Sequence, residues 1–142
     1  MMNDTITRTF EACLESLNAL NDFVTGAAHD AALDDAAIYA VQMAVEEAFS
    51  NIIQHAYGEE CTQSIECTCR VDDVGLTIIL QDEGRPFNPD SVPEPDLCAP
   101  IEERSVGGLG VYFIRQLMDE VYFDCRAGTT NVLTMVKHRV KA

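Results

Sequence analysis

Residues 44–57 read AVEEAFSNIIQHAY, and the way this stretch winds decides what the rest of the chain can be. It continues an apolar stripe through Ile38, Val41, Val45, Ala48, Phe49 and Ile52, the three- and four-residue spacing of one buried helix face. Glu47, Asn51 and His55 are four apart and share another face of the same helix. The pattern predicts a helix from Leu33 to about Tyr57. Asp34 or Asp35 lies near its start, where an acid suits the dipole, and Gly58 ends it. On the polar face, Asn51 offers a neutral carbonyl oxygen, a hard ligand suited to Mg²⁺ beside substrate phosphates. Glu47, one turn earlier, is placed to polarise a hydroxyl or a water, and His55 to donate to a phosphate oxygen. Taken alone, the same three residues are more readily explained as a solvated polar helix face.

Outward from this helix the periodicity changes twice. Residues 4–10 alternate weakly and read as a short first strand, and a helix follows from Glu11 to about Ala28 through Leu14, Leu17, Leu20, Phe23 and Val24. Downstream, Ile65, Cys67, Cys69 and Val71 alternate with polar partners, the pattern of a half-buried strand. Asp72-Asp73-Val74-Gly75 turns the chain into the strand Leu76–Leu80. Residues 83–106 hold all five prolines and little periodicity, and a loop this long inside a domain is functional or disordered. Helical spacing resumes from Leu109 to Met118, and strands at 121–126 and Val132–Arg139 flank a turn at Gly128. Two helices before a hairpin and one after a long loop favour an α/β (α+β) two-layer sandwich over a doubly wound sheet, which alternates helix and strand regularly.

Two further clusters carry chemistry. Asp82-Glu83-Gly84-Arg85-Pro86-Phe87 follows directly on an apolar strand. A carboxylate there can accept the exocyclic amine of adenine, and Gly84 allows the backbone to approach the base; an ordinary turn uses the same residue types. Ser105-Val106-Gly107-Gly108-Leu109-Gly110 opens a helix, where free amides and the dipole favour an anion. No Gly-Lys-Ser/Thr follows, so it is not a Walker loop, and no strand precedes it as in a Rossmann fingerprint. Together the clusters supply a metal ligand with a base, an adenine acceptor and a phosphate cradle.

Composition excludes several function classes. With 24 acidic and 9 basic residues the net charge is -15, which disfavours nucleic acid and anionic membrane surfaces as partners. The 142 residues fit a single domain, 1–142, and a hydrophobic fraction of 47% argues against global disorder. No apolar run approaches the roughly 18 residues of a membrane span, and Met1–Arg8 shows no signal peptide. The expectation is therefore a cytoplasmic protein. Its six cysteines, Cys13, Cys61, Cys67, Cys69, Cys98 and Cys125, are read as reduced thiols, with Cys67 and Cys69 as packing residues rather than zinc ligands.

The three clusters resemble, in order, the boxes of the GHKL ATPase superfamily. Residues 44–57 are similar to its N box, Asp82-Glu83-Gly84-Arg85-Pro86-Phe87-Asn88-Pro89 to the next, Gly107 through Val121 to the one after, and Gly128-Thr129-Thr130 to the closing box. In detail, His-Ala-Tyr, Arg-Pro-Phe-Asn-Pro and Leu-Met-Asp-Glu-Val are most similar to the anti-sigma factor serine kinases, over roughly residues 5–140. The family often has arginine just before its lid glycines, where Val106 and Gly107 stand here.

The resemblance implies a Bergerat-type mixed β-sheet with helices on one face and a long ATP lid at about 88–108. It implies ATP and Mg²⁺ as cofactors, with Asn51 on the metal and Asp82 on adenine. Nucleotide binding is implied also for His55, Gly84, Pro86, Phe87, Gly107, Gly108, Leu109 and Gly110, and for Thr129 or Thr130, of which Thr130 is taken. Glu47 matches the general base that prepares a substrate serine, the one catalytic residue. The implied partners are a STAS-domain anti-sigma factor antagonist as phosphoacceptor, a sigma factor, and a second copy of the chain as a homodimer. The function expected is thus an Mg-ATP-dependent protein-serine kinase. The alternative is a nucleotide-gated anti-sigma or adaptor module that binds ATP without turnover.

Overall fold

The computed structural model describes residues 4–57, 63–84, 108–126 and 130–140. The elements in chain order are β1 (Asp4–Glu11), a 3₁₀ turn (Leu14–Ser16), α1 (Leu17–Asp30), α2 (Asp35–Asn51), a π-wound turn (Ile52–Tyr57), β2 (Ser64–Val71), β3 (Gly75–Asp82), α3 (Gly108–Leu117), β4 (Glu120–Arg126) and β5 (Thr130–His138). The expected succession of strands and helices is present, and the two-layer α/β class stands.

The strands form one five-stranded sheet in the order β1-β2-β3-β5-β4. A mixed sheet is expected from the resemblance, but all four ladders are antiparallel. The physical reason lies in the last hairpin. β3 and β4 run the same way on either side of α3, as a helical crossover requires. β5 then folds back between them, so the two parallel strands never touch.

The alternation in β2 works as expected. Ile65, Cys67, Cys69 and Val71 are buried, while Ser64, Glu66 and Arg70 face solvent. On the helical side, Leu20, Val24 and Ala28 of α1 and Ile38, Val41, Val45, Ala48 and Phe49 of α2 enter the same core. α3 adds Ile114, with Met118 just beyond its end. Leu14, expected in the stripe of the first helix, lies in the 3₁₀ turn and is exposed.

Local chemistry sets several boundaries. Asp34 caps α2 by accepting from the Ala37 amide at 2.8 Å, satisfying one of the unpaired donors of the first turn. Asp72 Oδ1 accepts from the amides of Val74 at 2.9 Å and Gly75 at 3.2 Å, closing the β2–β3 turn. Gly75 has φ +154°, and a Cβ there would stand 2.2 Å from the Lys137 carbonyl oxygen; only glycine fits. The last turn of α3 is finished by Lys137, whose Nζ donates to the Leu117 carbonyl at 2.7 Å. Arg139 ties three connections together: Nε donates to the Ala31 carbonyl at 2.7 Å, and its other nitrogens to those of Asp73 at 3.1 Å and Asp72 at 3.2 Å.

The cysteines divide. Cys67, Cys69 and Cys125 are free. Cys67 and Cys69 are buried side by side in β2, where the hydrogen bond between the two thiols, then burial, pushes the Cys67 thiol far above its ordinary value. They are packing residues. Cys13 corrects the expectation of reduced thiols throughout, because it is disulfide-bonded, to a partner outside the described residues. The Ala12 amide donates to the Gln63 carbonyl at 2.8 Å, extending the β1–β2 pairing past Glu11.

Candidate nucleotide site

The functional side chains gather where β3 ends, β5 begins and α2 gives way to its π-wound turn. Asp82 is the last residue of β3, and its parity with Leu76, Ile78 and Leu80 turns it inward. It is only 5% exposed. Asn131, its register partner on β5, donates from Nδ2 to Asp82 Oδ1 at 3.0 Å, and the Gly84 amide donates to the same oxygen at 2.9 Å. Burial raises the Asp82 carboxyl above its ordinary value, and the hydrogen bonds from Asn131 and Gly84 oppose that rise. Among the described residues no donor reaches Oδ2, which is left to accept from an outside N–H.

Glu47 and Asn51 occupy successive turns at the end of α2, both half-buried. No group among the described residues hydrogen-bonds the Asn51 amide. The winding changes to a π turn immediately after Asn51. A π turn closes its hydrogen bonds over five residues rather than four and advances the chain differently around the axis. The His55 side chain lies outside the described residues.

Tyr57 ends the π turn and reaches across to the strands. Its hydroxyl donates to the Ser64 carbonyl at 2.5 Å and accepts from the Glu83 amide at 3.1 Å. One phenol thus ties the segment after Asn51 to the residue after Asp82. The Tyr57 hydroxyl is raised above its ordinary value, first by burial.

α3 starts at Gly108, so Gly108, Leu109 and Gly110 form its first turn rather than a loop before it. The unpaired amides of that turn point out of the helix and favour an anion. Packing of α3 against α2 sets this helix beside the one that carries Glu47 and Asn51. Thr130 is the first residue of β5, half-buried and paired with Arg126. Pro86, Phe87, Gly107, Thr129 and nearly all of the expected lid at 88–108 lie outside the described residues.

Asn131 and Tyr57 were not singled out as site residues in the sequence. Asn131 left a signal, since it shares parity with Leu133 and Met135 and is therefore a polar residue on the buried row of a strand. Tyr57 left none, because its partners lie at the start of β2 and just past the end of β3, which only the fold brings together.

The donor set suits Mg-ATP. A buried carboxylate with one oxygen that meets no donor among the described residues matches the 6-amino edge of adenine, an amide oxygen without a partner among them matches a hard cation, and a glycine-rich first turn matches phosphate. Among the described residues no group of three His, Cys, Asp or Glu is placed to hold a metal ion, but a cation shared with phosphates does not need one. A cavity of about 160 Å³ elsewhere is lined by Ile6, Phe23, Ala27 and Val71 among others. It lies at the hairpin end of the sheet, opposite Asp82. Among the described residues no helix is long and apolar enough to cross a membrane.

A sheet backed by helices, with a carboxylate at a strand end and an amide on the adjoining helix, is an arrangement compatible with a nucleotide-binding domain. The pattern of the histidine kinase-like ATPase domain matches residues 10–137, and the chain belongs to that family. Among individual proteins, it is 32% identical over 138 residues to the serine-protein kinase RsbW of Halalkalibacterium halodurans, covering 94% of this chain and 83% of that one. The serine-protein kinases RsbW of Bacillus subtilis and Bacillus velezensis are 34% and 33% identical over 99 residues, 66% of this chain. The matched part spans 61% of the length of these two Bacillus relatives. The resemblance of the chain as a whole to this ATPase family, and to its serine kinases, is thereby borne out.

Proposed function

We propose that this chain is an Mg-ATP-dependent protein-serine kinase of the anti-sigma type. Its acceptor would be a STAS-domain antagonist, and a sigma factor its competing partner in the cytoplasm. The observation that carries the reading is Asp82, a buried carboxylate held by Asn131 and Gly84 on one oxygen only. The names of the relatives, serine-protein kinase RsbW, support the activity.

In this reading Asp82 Oδ2 would accept from adenine, Asn51 would hold Mg²⁺, and the first-turn amides of α3 would meet the phosphates. Bound Mg-ATP supplies the γ-phosphoryl group. Glu47, one turn before Asn51, takes the proton from the acceptor serine hydroxyl as that oxygen becomes the nucleophile. Such a base contributes about 10²- to 10⁴-fold; orientation by Asn51 and by the α3 amides accounts for most of the remainder.

The test is transfer of labelled γ-phosphate to STAS-domain proteins, with Glu47→Gln beside the parent. Label on a serine of one such protein, lost in the variant while ATP binding is kept, is the expected result. Undiminished transfer by Glu47→Gln removes Glu47 from the mechanism. No transfer by the parent, with ATP bound, favours the nucleotide-gated binding module instead.

A further inference from the structure

Asn131 spends its amide group on the site. Its Nδ2 lies 3.0 Å from Asp82 Oδ1 and 3.4 Å from the Gly84 carbonyl oxygen. Both partners are acceptors, so the amide stands with its nitrogen towards them; turned over, its oxygen would face a carboxylate and a carbonyl. Asp82 and Asn131 are register partners at the open ends of β3 and β5, both buried, so neither side chain is free to swing away.

We propose that Asn131 is the positioning residue of the adenine subsite: it anchors Asp82 through Oδ1, so that Oδ2 alone is presented to the exocyclic amine. The inference rests on the reading of Asp82 as the adenine acceptor. Among the described residues Asn131 is the only side chain that hydrogen-bonds Asp82, the other donor being the Gly84 amide.

Two consequences follow from removing it. A carboxylate with one donor fewer turns more freely about its terminal torsion, and its second oxygen is no longer fixed in direction. It also loses a donor that favours the ionised form against the effect of burial. A protonated Asp82 can present an O–H where an amine also brings N–H, donor against donor. Asn131 therefore keeps the subsite an acceptor, which suits a 6-amino purine and disfavours a 6-oxo one.

The test compares Asn131→Leu, which keeps the shape and removes the donor, with the parent and with Asp82→Ala. ATP binding is measured calorimetrically across pH, with GTP as the competing nucleotide. For Asn131→Leu, ATP binding about 10-fold weaker at neutral pH is expected, as loss of a hydrogen bond to a charged group implies. Its acid limb should also begin at higher pH than that of the parent, and its discrimination against GTP should narrow. A binding-pH curve superimposable on the parent's overturns the proposal, provided Asp82→Ala has lost ATP. If Asp82→Ala binds ATP as the parent does, the adenine reading fails and the proposal with it.

Should Asn131→Leu not fold, the parent carries the test by NMR. The Asn131 side-chain NH₂ signals are expected to titrate together with the Asp82 carboxyl carbon and to shift on adding ATP. Signals flat with pH and unmoved by ATP overturn the proposal.

Discussion

Replacing Asp82 by Asn changes one atom of the site and is expected to move two quantities in opposite directions. The two donors at this side chain, Asn131 Nδ2 at 3.0 Å and the Gly84 amide at 2.9 Å, both end on Oδ1. An amide keeps a carbonyl oxygen to meet them. The change falls at Oδ2, where an acceptor becomes an N–H donor facing the adenine amine. A hydrogen bond to a charged group is worth about 1.5–3 kcal/mol, so affinity for ATP should fall about 10- to 150-fold.

Stability should not fall with it. Burial raises the Asp82 carboxyl above its ordinary value despite the opposing hydrogen bonds. A carboxyl raised in the folded state binds its proton more tightly there than in the unfolded chain. Its contribution to stability is complete below the unfolded value of 3.8 and is lost as pH rises through the folded value. At neutral pH the ionised side chain therefore costs stability, and an amide does not. The expected result is a melting temperature for Asp82→Asn at or above the parent's at neutral pH, with the gap closing as pH falls. Thermal melts from about pH 7.5 to about pH 4.5, paired with calorimetric titration of ATP, read both quantities. An Asp82→Asn variant that binds ATP like the parent removes Asp82 from the site. One that melts well below the parent at neutral pH means that the ionised carboxylate stabilises the fold and that the sign argued here is wrong.

Gly75→Ala should be strongly destabilising, because its Cβ would stand 2.2 Å from the Lys137 oxygen and 2.8 Å from the Arg139 nitrogen at φ +154°. Strain and overpacking together cost about 3 kcal/mol, or about 10 °C in Tm, and a drop below about 3 °C in a thermal melt counts against the clash. Tyr57→Phe removes the bonds to Ser64 and Glu83, and urea denaturation should show a loss of about 1 kcal/mol. ATP affinity should weaken a few-fold in the same variant; unchanged affinity would mean that the phenol does not link the two halves of the site. Arg139→Ala leaves the carbonyls of Ala31, Asp72 and Asp73 without the guanidinium. It should cost about 2 kcal/mol in urea, with Arg139→Lys recovering less than half because a point donor cannot span three acceptors; full recovery by Lys would refute the clasp.

What can be read along the chain is what neighbouring residues decide. The stripe through Ile38, Val45 and Phe49, the acid near the start of α2, the alternation of β2 and the turn at Asp72–Gly75 all follow from spacings of a few residues, and each is present in the fold. Asp82 was found for the same reason, since an acid closing an apolar strand is a local anomaly. The insertion of β5 between β3 and β4 depends on how the final hairpin packs, and no local period encodes it. The π winding after Asn51 is likewise not legible, because Ile-Ile-Gln-His-Ala continues a helical pattern without a break. Asn131 and Tyr57 act through partners 49 and 26 residues away, respectively. Pairings at such distance are made by topology, and the sequence shows only the polar residue left on a buried row.

The place of β5 has a consequence for synthesis. Strands β1, β2 and β3 can pair as they leave the ribosome, but the neighbour that covers the far edge of β3 is the last strand in the sequence. Until it arrives, β3 keeps an open row of unpaired amides and carbonyls, a template for mispairing with another chain. Over the same interval Asp82 has no Asn131. A nascent chain holding everything through β4 therefore cannot complete the site, and translation at about 5–20 residues per second leaves it in that state for a second or more. Nucleotide added to stalled chains should be retained only once β5 has cleared the exit tunnel, so ligand capture reports the final step of assembly.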